Sequence, residues 1–264
     1  MISLEGRTAI ITGGARGNGY GMAQVLGQCG AKIAIFDIDK TLSEAAETLC
    51  RDGIDAKGYE VDITDKKAVQ NGVDAVLRDF GKIDILINNA GIARLCKFED
   101  MPDDLRDIHF RINILGAWNC THAVIKHMLQ NQYGRIINIS SVTGPKVCDS
   151  GFTAYATSKA ALIGFTKSLA VEYALQGITV NAILPGYILT PMVKKSAEES
   201  NPADPQSVID GIAAGIPMKR MGETRELGEL AAFLASDCAA YITGTEQIFD
   251  GGSTLPETMT MGVK

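Results

Sequence analysis

Two side chains that can exchange a proton lie four residues apart, at Tyr155 and Lys159. On a helix, side chains at this spacing share one face and can address one ligand. A phenol is a poor base near neutral pH, but a neighbouring ammonium favours its phenolate form by opposite-charge stabilisation. The pair alone is also typical of a packed ring beside a solvated amine, so its chemistry depends on the residues around it.

A glycine-rich turn, TGGARGNG, follows the first apolar run and places Thr12, Gly13, Gly17 and Gly19 in a TGxxxGxG pattern. Glycines let a backbone approach a pyrophosphate, and the N–H groups and dipole of a following helix favour its charge. A tight strand-to-helix turn is the simpler alternative. The position between a first strand and a first helix favours nucleotide binding.

An acidic residue, Asp37, ends the second apolar run about 20 residues beyond Gly17, where a carboxylate can accept hydrogen bonds from ribose hydroxyls. A 2′-phosphate would be repelled there. Arg16 is an opposing signal because it could bind that phosphate, whereas Ile38 could not. The pattern predicts NAD in preference to NADP, and it assigns Asp39 to a turn or helix cap.

Apolar runs rich in β-branched residues alternate with helical patterns along the whole chain, which predicts an α/β fold with a doubly wound parallel sheet. The predicted strands are 8–12, 32–36, 57–61, 84–87, 135–139, 178–184 and 246–249. The predicted helices are 19–28, 41–51, 66–79, 103–130, 155–175 and 225–235. Residues 1–264 are expected to form one domain, with a lid or substrate-binding insertion at about 187–217.

The charge and the spacing of cysteines and histidines limit which partners and metals the chain is expected to bind. The formal net charge is −6 and the basic residues are scattered, so we expect no nucleic acid and no anionic lipid surface among the partners. The first apolar stretch, Thr8 to Thr12, is too short for a signal peptide and no run reaches the length of a membrane helix, which predicts no membrane partner and a cytoplasmic location. The six cysteines lack the short paired spacing of metal or redox sites, and we expect them to be reduced and mostly buried. The histidines His109, His122 and His127 have no metal-ligand pattern, which favours core or surface roles and no metal.

Seven motifs in a fixed order resemble the short-chain dehydrogenase/reductase family across essentially the whole chain. They are TGGARGNG, Asp62, NNAG at 88–91, Asn113, ISS at 139–141, YATSK at 155–159 and PGYILT at 185–190. The resemblance implies a Rossmann-type sheet of seven strands in a three-layer α/β/α sandwich. It also implies a homotetramer built in part from helices 103–130 and 155–175 and from the tail around Asp250 to Ser253.

The resemblance implies an oxidoreductase in which Tyr155 is the acid/base group, Lys159 holds the nicotinamide ribose, Ser141 binds the substrate oxygen and Asn113 supports a water relay. Ser140 competes with Ser141, because the neighbours point in opposite directions at a strand end. The predicted cofactor-binding residues are Gly13, Arg16, Gly17, Asn18, Gly19, Asp37, Ile38, Asp62, Ile63, Asn89, Ala90, Gly91, Tyr155, Lys159, Pro185, Gly186, Ile188 and Thr190. The predicted substrate-binding residues are Ser141, Val147, Phe152, Tyr187 and Met192.

The predicted reaction interconverts a secondary alcohol and a ketone with NAD(H), on a small-molecule substrate that the sequence does not identify. One alternative is an NADPH-dependent 3-oxoacyl-[acyl-carrier-protein] reductase. Such enzymes generally present Arg where this chain has Gln132 and Gln176, which weakens docking of an acidic carrier protein. The ending GGSTLPET is most similar to the UcpA-like oxidoreductases of the family. A second alternative, a non-catalytic nucleotide sensor, is disfavoured because Asn113, Ser141, Tyr155 and Lys159 are all present.

Overall fold

A seven-stranded parallel sheet with the order β3-β2-β1-β4-β5-β6-β9 organises the chain, in a computed structural model that describes residues 2–256. Its strands are β1 (Thr8–Thr12), β2 (Lys32–Asp37), β3 (Ala56–Glu60), β4 (Ile85–Asn88), β5 (Gly134–Ile139), β6 (Ile178–Pro185) and β9 (Glu246–Phe249). Two short strands, β7 (Ile188–Leu189) and β8 (Gly222–Glu223), pair separately. The predicted fold class and the predicted strands are confirmed.

Nine α-helices connect or flank these strands in the described part of the chain. They are α1 (Gly17–Gln28), α2 (Leu42–Arg51), α3 (Lys66–Phe80), α4 (Asp103–Phe110), α5 (Ala117–Asn131), α6 (Thr153–Tyr173), α7 (Pro191–Ser200), α8 (Pro205–Ala214) and α9 (Thr224–Ala235). The predicted insertion at 187–217 contains α7 and α8. None of the helices in residues 2–256 combines the length and the apolar character needed to cross a membrane.

Each central strand sends successive side chains into two different cores. On β1, Ile10 packs with residues of α3 and α5, whereas Ile11 packs with residues of α1, α2 and α9. Both isoleucines are fully buried, as expected for a strand covered by helices on its two faces. This double burial explains why the strands read as continuous apolar runs in the sequence.

The order of the strands reverses between β1 and β4, which lie side by side at the centre of the sheet. In open α/β sheets, ligands bind outside the carboxyl ends of the strands at this switch point. The glycine-rich turn follows β1, the NNAG segment ends β4 and the two serines follow β5. The fold therefore gathers the predicted motifs at one edge of the sheet.

Two expectations about local structure were wrong. The predicted helix 103–130 is interrupted by a π-helical segment, Arg111–Gly116, between α4 and α5. The cysteines are free, but Cys50, Cys148 and Cys238 are exposed rather than buried, because they lie at a helix end, in a loop and in a 3₁₀ turn. No group of three potential metal ligands occurs among residues 2–256.

Candidate active site

The glycine-rich turn between β1 and α1, hereafter the glycine loop (residues 12–19), needs glycine for two physical reasons. Gly13 and Gly17 have φ angles of +65° and +57°, a region that side chains disfavour. A Cβ atom on Gly13 would also lie 2.9 Å from the Cα of Ala90, and one on Gly19 would collide with the carbonyl of Gly13. The loop is therefore drawn tightly onto the NNAG segment.

The amino terminus of α1 is open to a ligand. No side chain caps it and its first turn has no acidic residue, whereas Asp65, Thr190 and Asp204 cap α3, α7 and α8. The Oδ1 atom of Asn18 is buried without a hydrogen-bond partner. Free N–H groups at a helix amino terminus attract phosphate, so this loop fits a dinucleotide pyrophosphate.

Asp37 fastens the end of β2 to the glycine loop. One carboxylate oxygen accepts the backbone N–H of Ala15 at 2.9 Å, and the other accepts those of Ile38 and Asp39 at 2.8 and 3.0 Å. Because Oδ2 accepts only the Ala15 N–H, its second lone pair can still accept a ribose hydroxyl. Ile38 is 68% exposed, so it contributes an apolar surface beside this carboxylate.

Arg16, the residue that could favour NADP by binding a 2′-phosphate, lies close to a carboxylate. Its Nε lies 3.4 Å from Asp39 Oδ2. Asp39 also accepts the backbone N–H and the hydroxyl of Thr41 at 3.0 and 2.8 Å, which holds its carboxylate beside the start of α2 and lowers its pKa. Asp39 therefore lies in the turn predicted for it, and its charge balances that of Arg16.

Thr12 and Asn89 join the ends of β1 and β4. The hydroxyl of Thr12 accepts the N–H groups of Asn89 and Ala90, both at 3.0 Å, and Asn89 Nδ2 donates to the carbonyls of Thr12 and Gly13 at 2.9 and 3.1 Å. The amide side chain thus braces the glycine loop from below. Asn89 therefore has a structural role, and it also lies next to the predicted cofactor site.

Asp62 and Ile63 follow β3 at the same edge of the sheet. Asp62 is exposed and accepts the N–H of Thr64 at 2.8 Å, whereas Ile63 is buried and its carbonyl accepts Asn119 Nδ2 at 3.0 Å. The Asp62 side chain is thus accessible to an adenine. The Ile63 side chain is buried, so the backbone of Ile63 is more accessible to a ligand than its side chain.

The segment that follows β6 faces the glycine loop from the other side. Pro185 ends β6, Ile188 is buried in β7, and Thr190 caps α7 through a 3.3 Å bond from the N–H of Val193. A Cβ on Gly17 would lie 3.8 Å from Thr190 Cγ2, and one on Gly186 would lie 2.8 Å from Asp250 Cβ. This segment is fixed between the loop and the tail.

Ser141 lies beside Tyr155, where its hydroxyl lowers the pKa of the phenol, and Ser141 Oγ accepts the backbone N–H of Thr143 at 3.1 Å. Ser140 instead turns its hydroxyl to the carbonyl of Lys159, at 2.8 Å. The structure therefore separates the two adjacent serines and places Ser141 beside the phenol. The ring of Phe152 lies 5.7 Å from that of Tyr155 and encloses it on one side.

Asn113 and Lys159 meet the backbone at the end of β4. A Cβ on Gly91 would lie 3.1 Å from Asn113 Oδ1 and 3.4 Å from Lys159 Nζ. Lys159 Nζ donates to the carbonyl of Ile139 at 2.8 Å and lies 5.7 Å from the centre of the Tyr155 ring. The four predicted catalytic residues, Asn113, Ser141, Tyr155 and Lys159, are brought together at one point of the sheet edge.

The electrostatics differ from the sequence expectation. Burial raises the pKa of Tyr155, and the smaller effect of the neighbouring Ser141 hydroxyl lowers it. Burial also lowers the pKa of Lys159 from 10.5 to about 8. Burial has the largest effect on both groups, and the expected lowering of the Tyr155 pKa by Lys159 is not found.

The buried Lys159 gives a stability prediction with a defined sign. Between about pH 8 and 10.5 the unfolded chain keeps the Lys159 proton while the folded chain has lost it, so the free energy of unfolding rises with pH by up to about 3 kcal/mol. We expect Lys159→Met to abolish this contribution and to be relatively most stabilising below pH 8. Urea unfolding across this range measures it. Lys126→Met, on an exposed face of α5, is the matched control; equal pH slopes in wild type and K159M would contradict the prediction.

The walls of the predicted substrate pocket carry exposed apolar side chains. Val147, Tyr187 and Met192 are exposed, and Phe152 is half-buried. Val147 and Phe152 lie on the loop that follows Ser141, hereafter the substrate loop (residues 142–152), where Gly144 N–H donates to the carbonyl of Val147 at 2.7 Å. Tyr187 and Met192 lie on the opposite segment, before and within α7.

Residues 13–254 match a family model described as enoyl-(acyl carrier protein) reductase. The chain belongs to the short-chain dehydrogenase/reductase family, an oxidoreductase family whose members bind NAD or NADP. It is 49% identical to the oxidoreductase UcpA of Escherichia coli K12 over 263 residues, which cover 100% of both chains. The family expectation from the sequence is confirmed.

Two further relatives differ in substrate. The chain is 37% identical over 253 residues to the 3-oxoacyl-[acyl-carrier-protein] reductase FabG of Escherichia coli K12, covering 95% of this chain and 98% of that protein. It superposes on the crystal structure of levodione reductase with a TM-score of 0.88 at 32% identity, covering 95% and 98% of the two chains. The fold is shared, while the activities named for these two proteins differ.

Sequence reasoning missed Ser158, which takes part in this cluster. Its hydroxyl accepts Asn113 Nδ2 at 2.9 Å and donates to the carbonyl of Tyr155 at 2.7 Å. It is fully buried beside Lys159 in α6. A serine directly before Lys159 was a possible signal, but its partner Asn113 lies 45 residues away and no local pattern pairs them.

Proposed function

We propose that this chain is an NAD(H)-dependent oxidoreductase that interconverts a secondary alcohol and a ketone, with Tyr155 as the acid/base group. The proposal is carried by the placement of Ser141 beside Tyr155, with Lys159 Nζ 5.7 Å from the centre of the phenol ring, at the sheet edge that also holds the glycine loop. Two adjacent hydroxyls can hold one carbonyl oxygen, and only the phenol has an acidity suited to donating a proton to a nascent alkoxide.

When bound at the glycine loop and Asp37, a dihydronicotinamide cofactor would supply the hydride that reduces the carbonyl carbon. Ser141 and Tyr155 hold the carbonyl oxygen, and Tyr155 transfers its hydroxyl proton to that oxygen to complete the alcohol. The raised pKa of Tyr155 favours the protonated form that this step consumes. In the direction of oxidation the phenolate takes the proton back.

Lys159 and Asn113 are proposed to serve Tyr155. A Lys159 amine with a pKa of about 8 exchanges protons near neutral pH and can return a proton toward the phenol. Asn113 holds the backbone of Ile92 and the hydroxyl of Ser158, so its amide is fixed beside Gly91 and Lys159. This arrangement supports a proton path along Lys159 rather than direct stabilisation of a phenolate.

NAD is the proposed cofactor. The Asp37 carboxylate lies where the adenosine ribose of this fold is held, and the Arg16 charge is shared with Asp39. The exposed Ile38 adds no positive charge for a 2′-phosphate. The unpartnered Asn18 Oδ1 and the open amino terminus of α1 support the remainder of the dinucleotide site.

The experiment titrates NADH and NADPH by fluorescence and then screens ketones, diketones, keto-sugars and steroids for loss of NADH absorbance. We expect NADH to bind at least about tenfold more tightly than NADPH, and at least one small carbonyl to be reduced. Binding of NADH with no turnover across the panel would favour a nucleotide sensor. Turnover of 3-oxoacyl carrier protein with NADPH would favour the carrier-protein reductase.

The alternative activity, reduction of a 3-oxoacyl carrier protein, has less support. Gln132 caps the carboxyl end of α5 with a φ of +49°, and Gln176 lies in the 3₁₀ turn that follows α6. Neither position offers a positive charge to an acidic carrier protein. The higher identity to UcpA than to FabG agrees with this assignment. The identity of the small-molecule substrate is left to the screen.

A homotetramer is also proposed. Large apolar side chains are exposed along the two long helices that the family resemblance assigns to subunit contacts: Trp118 stacks on Phe165 at 5.1 Å, and Val171 and Leu175 extend from the end of α6. Exposed large apolar side chains of this kind favour protein contacts where they form one patch. Light scattering coupled to gel filtration measures the mass. A cytoplasmic location also stays a prediction from the sequence.

A further inference from the structure

A histidine that the proposed mechanism does not use is completely buried beside the active site. His109, near the end of α4, has an exposed fraction of 0%. It precedes Asn113 by four residues, and both side chains bond to the same neighbouring loop, residues 91–97. A buried polar ring needs hydrogen-bond partners, so the identity of its partners is informative.

The two ring nitrogens of His109 have partners of opposite kind. Nδ1 lies 2.7 Å from the carbonyl of Leu105, and Nε2 lies 3.1 Å from the backbone nitrogen of Arg94. A carbonyl only accepts and a backbone N–H only donates, so Nδ1 carries the proton and Nε2 is the acceptor. The surroundings thus select one neutral tautomer, with its lone pair aimed at the loop.

Two side chains of neighbouring turns therefore hold the 91–97 loop by its backbone. Asn113 accepts the N–H of Ile92 at 2.9 Å and donates to its carbonyl at 3.0 Å, and His109 accepts the N–H of Arg94. Three backbone groups within three residues are thus bonded to one helical segment. The backbone of the loop has little conformational freedom at this end.

The held loop meets the substrate loop directly. The N–H of Cys96 donates to the carbonyl of Gly151 at 3.0 Å, and a Cβ on Gly151 would lie 3.7 Å from Leu95 Cδ2. Leu95 is 66% exposed, and Gly151 precedes the Phe152 ring that packs against Tyr155. Two residues beyond the His109 bond, the chain forms a wall next to the proton donor.

We infer that His109 is a positioning residue that fixes this wall of the substrate pocket, so that it sets the affinity for the carbonyl substrate and not for the dinucleotide. The inference rests on the proposed function for its substrate. The dinucleotide site is built from the glycine loop, Asp37 and the β4 end, none of which bonds to His109 in the described part of the chain.

The test compares His109→Leu with His109→Gln. Leucine fills similar space but accepts no hydrogen bond, whereas the Gln side-chain oxygen can reach the position of Nε2. We expect H109L to raise KM for the carbonyl substrate about tenfold, with the NADH Kd changed by less than about twofold, and H109Q to recover most of the loss. Hydrogen exchange of the 91–97 amides is expected to accelerate in H109L and to return toward wild type in H109Q.

Several outcomes would overturn the inference. They are unchanged exchange and KM in H109L, a parallel loss of NADH binding and substrate binding, or failure of H109Q to recover either readout. If H109L does not fold, His109→Met takes its place, because it also lacks a strong acceptor and adapts its shape. Wild-type protein that binds NADH and reduces no carbonyl would contradict the proposed function instead, and the exchange comparison would still decide whether His109 holds the loop.

Discussion

Replacing Tyr155 with Phe is expected to lower kcat by about 10²–10⁴-fold, the usual contribution of a well-placed acid/base group. The substitution removes one oxygen from a ring packed beside Phe152, so the shape of the pocket is kept. Ser141 keeps the bond that it accepts from the Thr143 N–H and remains available to a substrate oxygen. Steady-state kinetics on the best substrate of the screen measure the effect.

The affinity for NADH separates loss of chemistry from loss of structure. We expect the NADH Kd of Y155F to stay within about threefold of wild type, because Tyr155 supplies a single contact to a ligand held mainly elsewhere. Tyr59→Phe is the matched control, since the Tyr59 hydroxyl bonds to Asp79 at 2.7 Å beside β3 and α3, away from the substrate loop. A Y155F enzyme that kept more than about a tenth of wild-type kcat would refute the assignment of the proton donor.

The strands of the sheet could be predicted because the pattern that marks them lies in consecutive residues. A strand covered on both faces must be apolar along its whole length, and the runs TAIIT and KIAIF meet that condition in β1 and β2. Turn chemistry is local as well, which is why the glycine loop was placed correctly between β1 and α1. Nothing distant had to be known for either prediction.

The π-helical segment could not be predicted because its cause lies elsewhere in the chain. Residues 103–130 carry apolar residues at helical spacing, yet Asn113 bonds to Ile92 and Ser158, which lie 21 and 45 residues away. A π-segment presents a side chain that a regular helix would place differently, and such segments are frequent at functional sites. The residue was predicted from the family motif, whereas its backbone was not.

The pKa values of Tyr155 and Lys159 also could not be predicted from the sequence. Spacing shows that Tyr155 and Lys159 share a helix face, but it does not show how much water reaches them. Burial raises the pKa of the phenol and lowers the pKa of the amine, so desolvation decides both. The depth of α6 against the sheet, which sets this burial, depends on packing of the whole domain.

Cofactor preference is expected to reverse when Asp37 is replaced with Ala and Ile38 with Arg. The first change removes a charge that repels a 2′-phosphate, and the second adds one that attracts it. Charged hydrogen bonds contribute about 1.5–3 kcal/mol each, so the ratio of kcat/KM for NADPH over NADH should rise by about 10²-fold or more. An unchanged ratio would reject the role of Asp37 in binding the ribose.

The contacts of Asp37 show how this test must be controlled. Its carboxylate also accepts the N–H of Ala15, so D37A removes a bond that holds the glycine loop and would weaken binding of both cofactors. Asp37→Asn with Ile38→Arg removes the charge while the amide oxygen can still accept from Ala15. If charge is what selects the cofactor, D37N/I38R should reverse the ratio while keeping overall affinity closer to wild type than D37A/I38R does. If both double variants lost NADH and NADPH binding equally, Asp37 would be a support of the loop and the preference for NAD would have another origin.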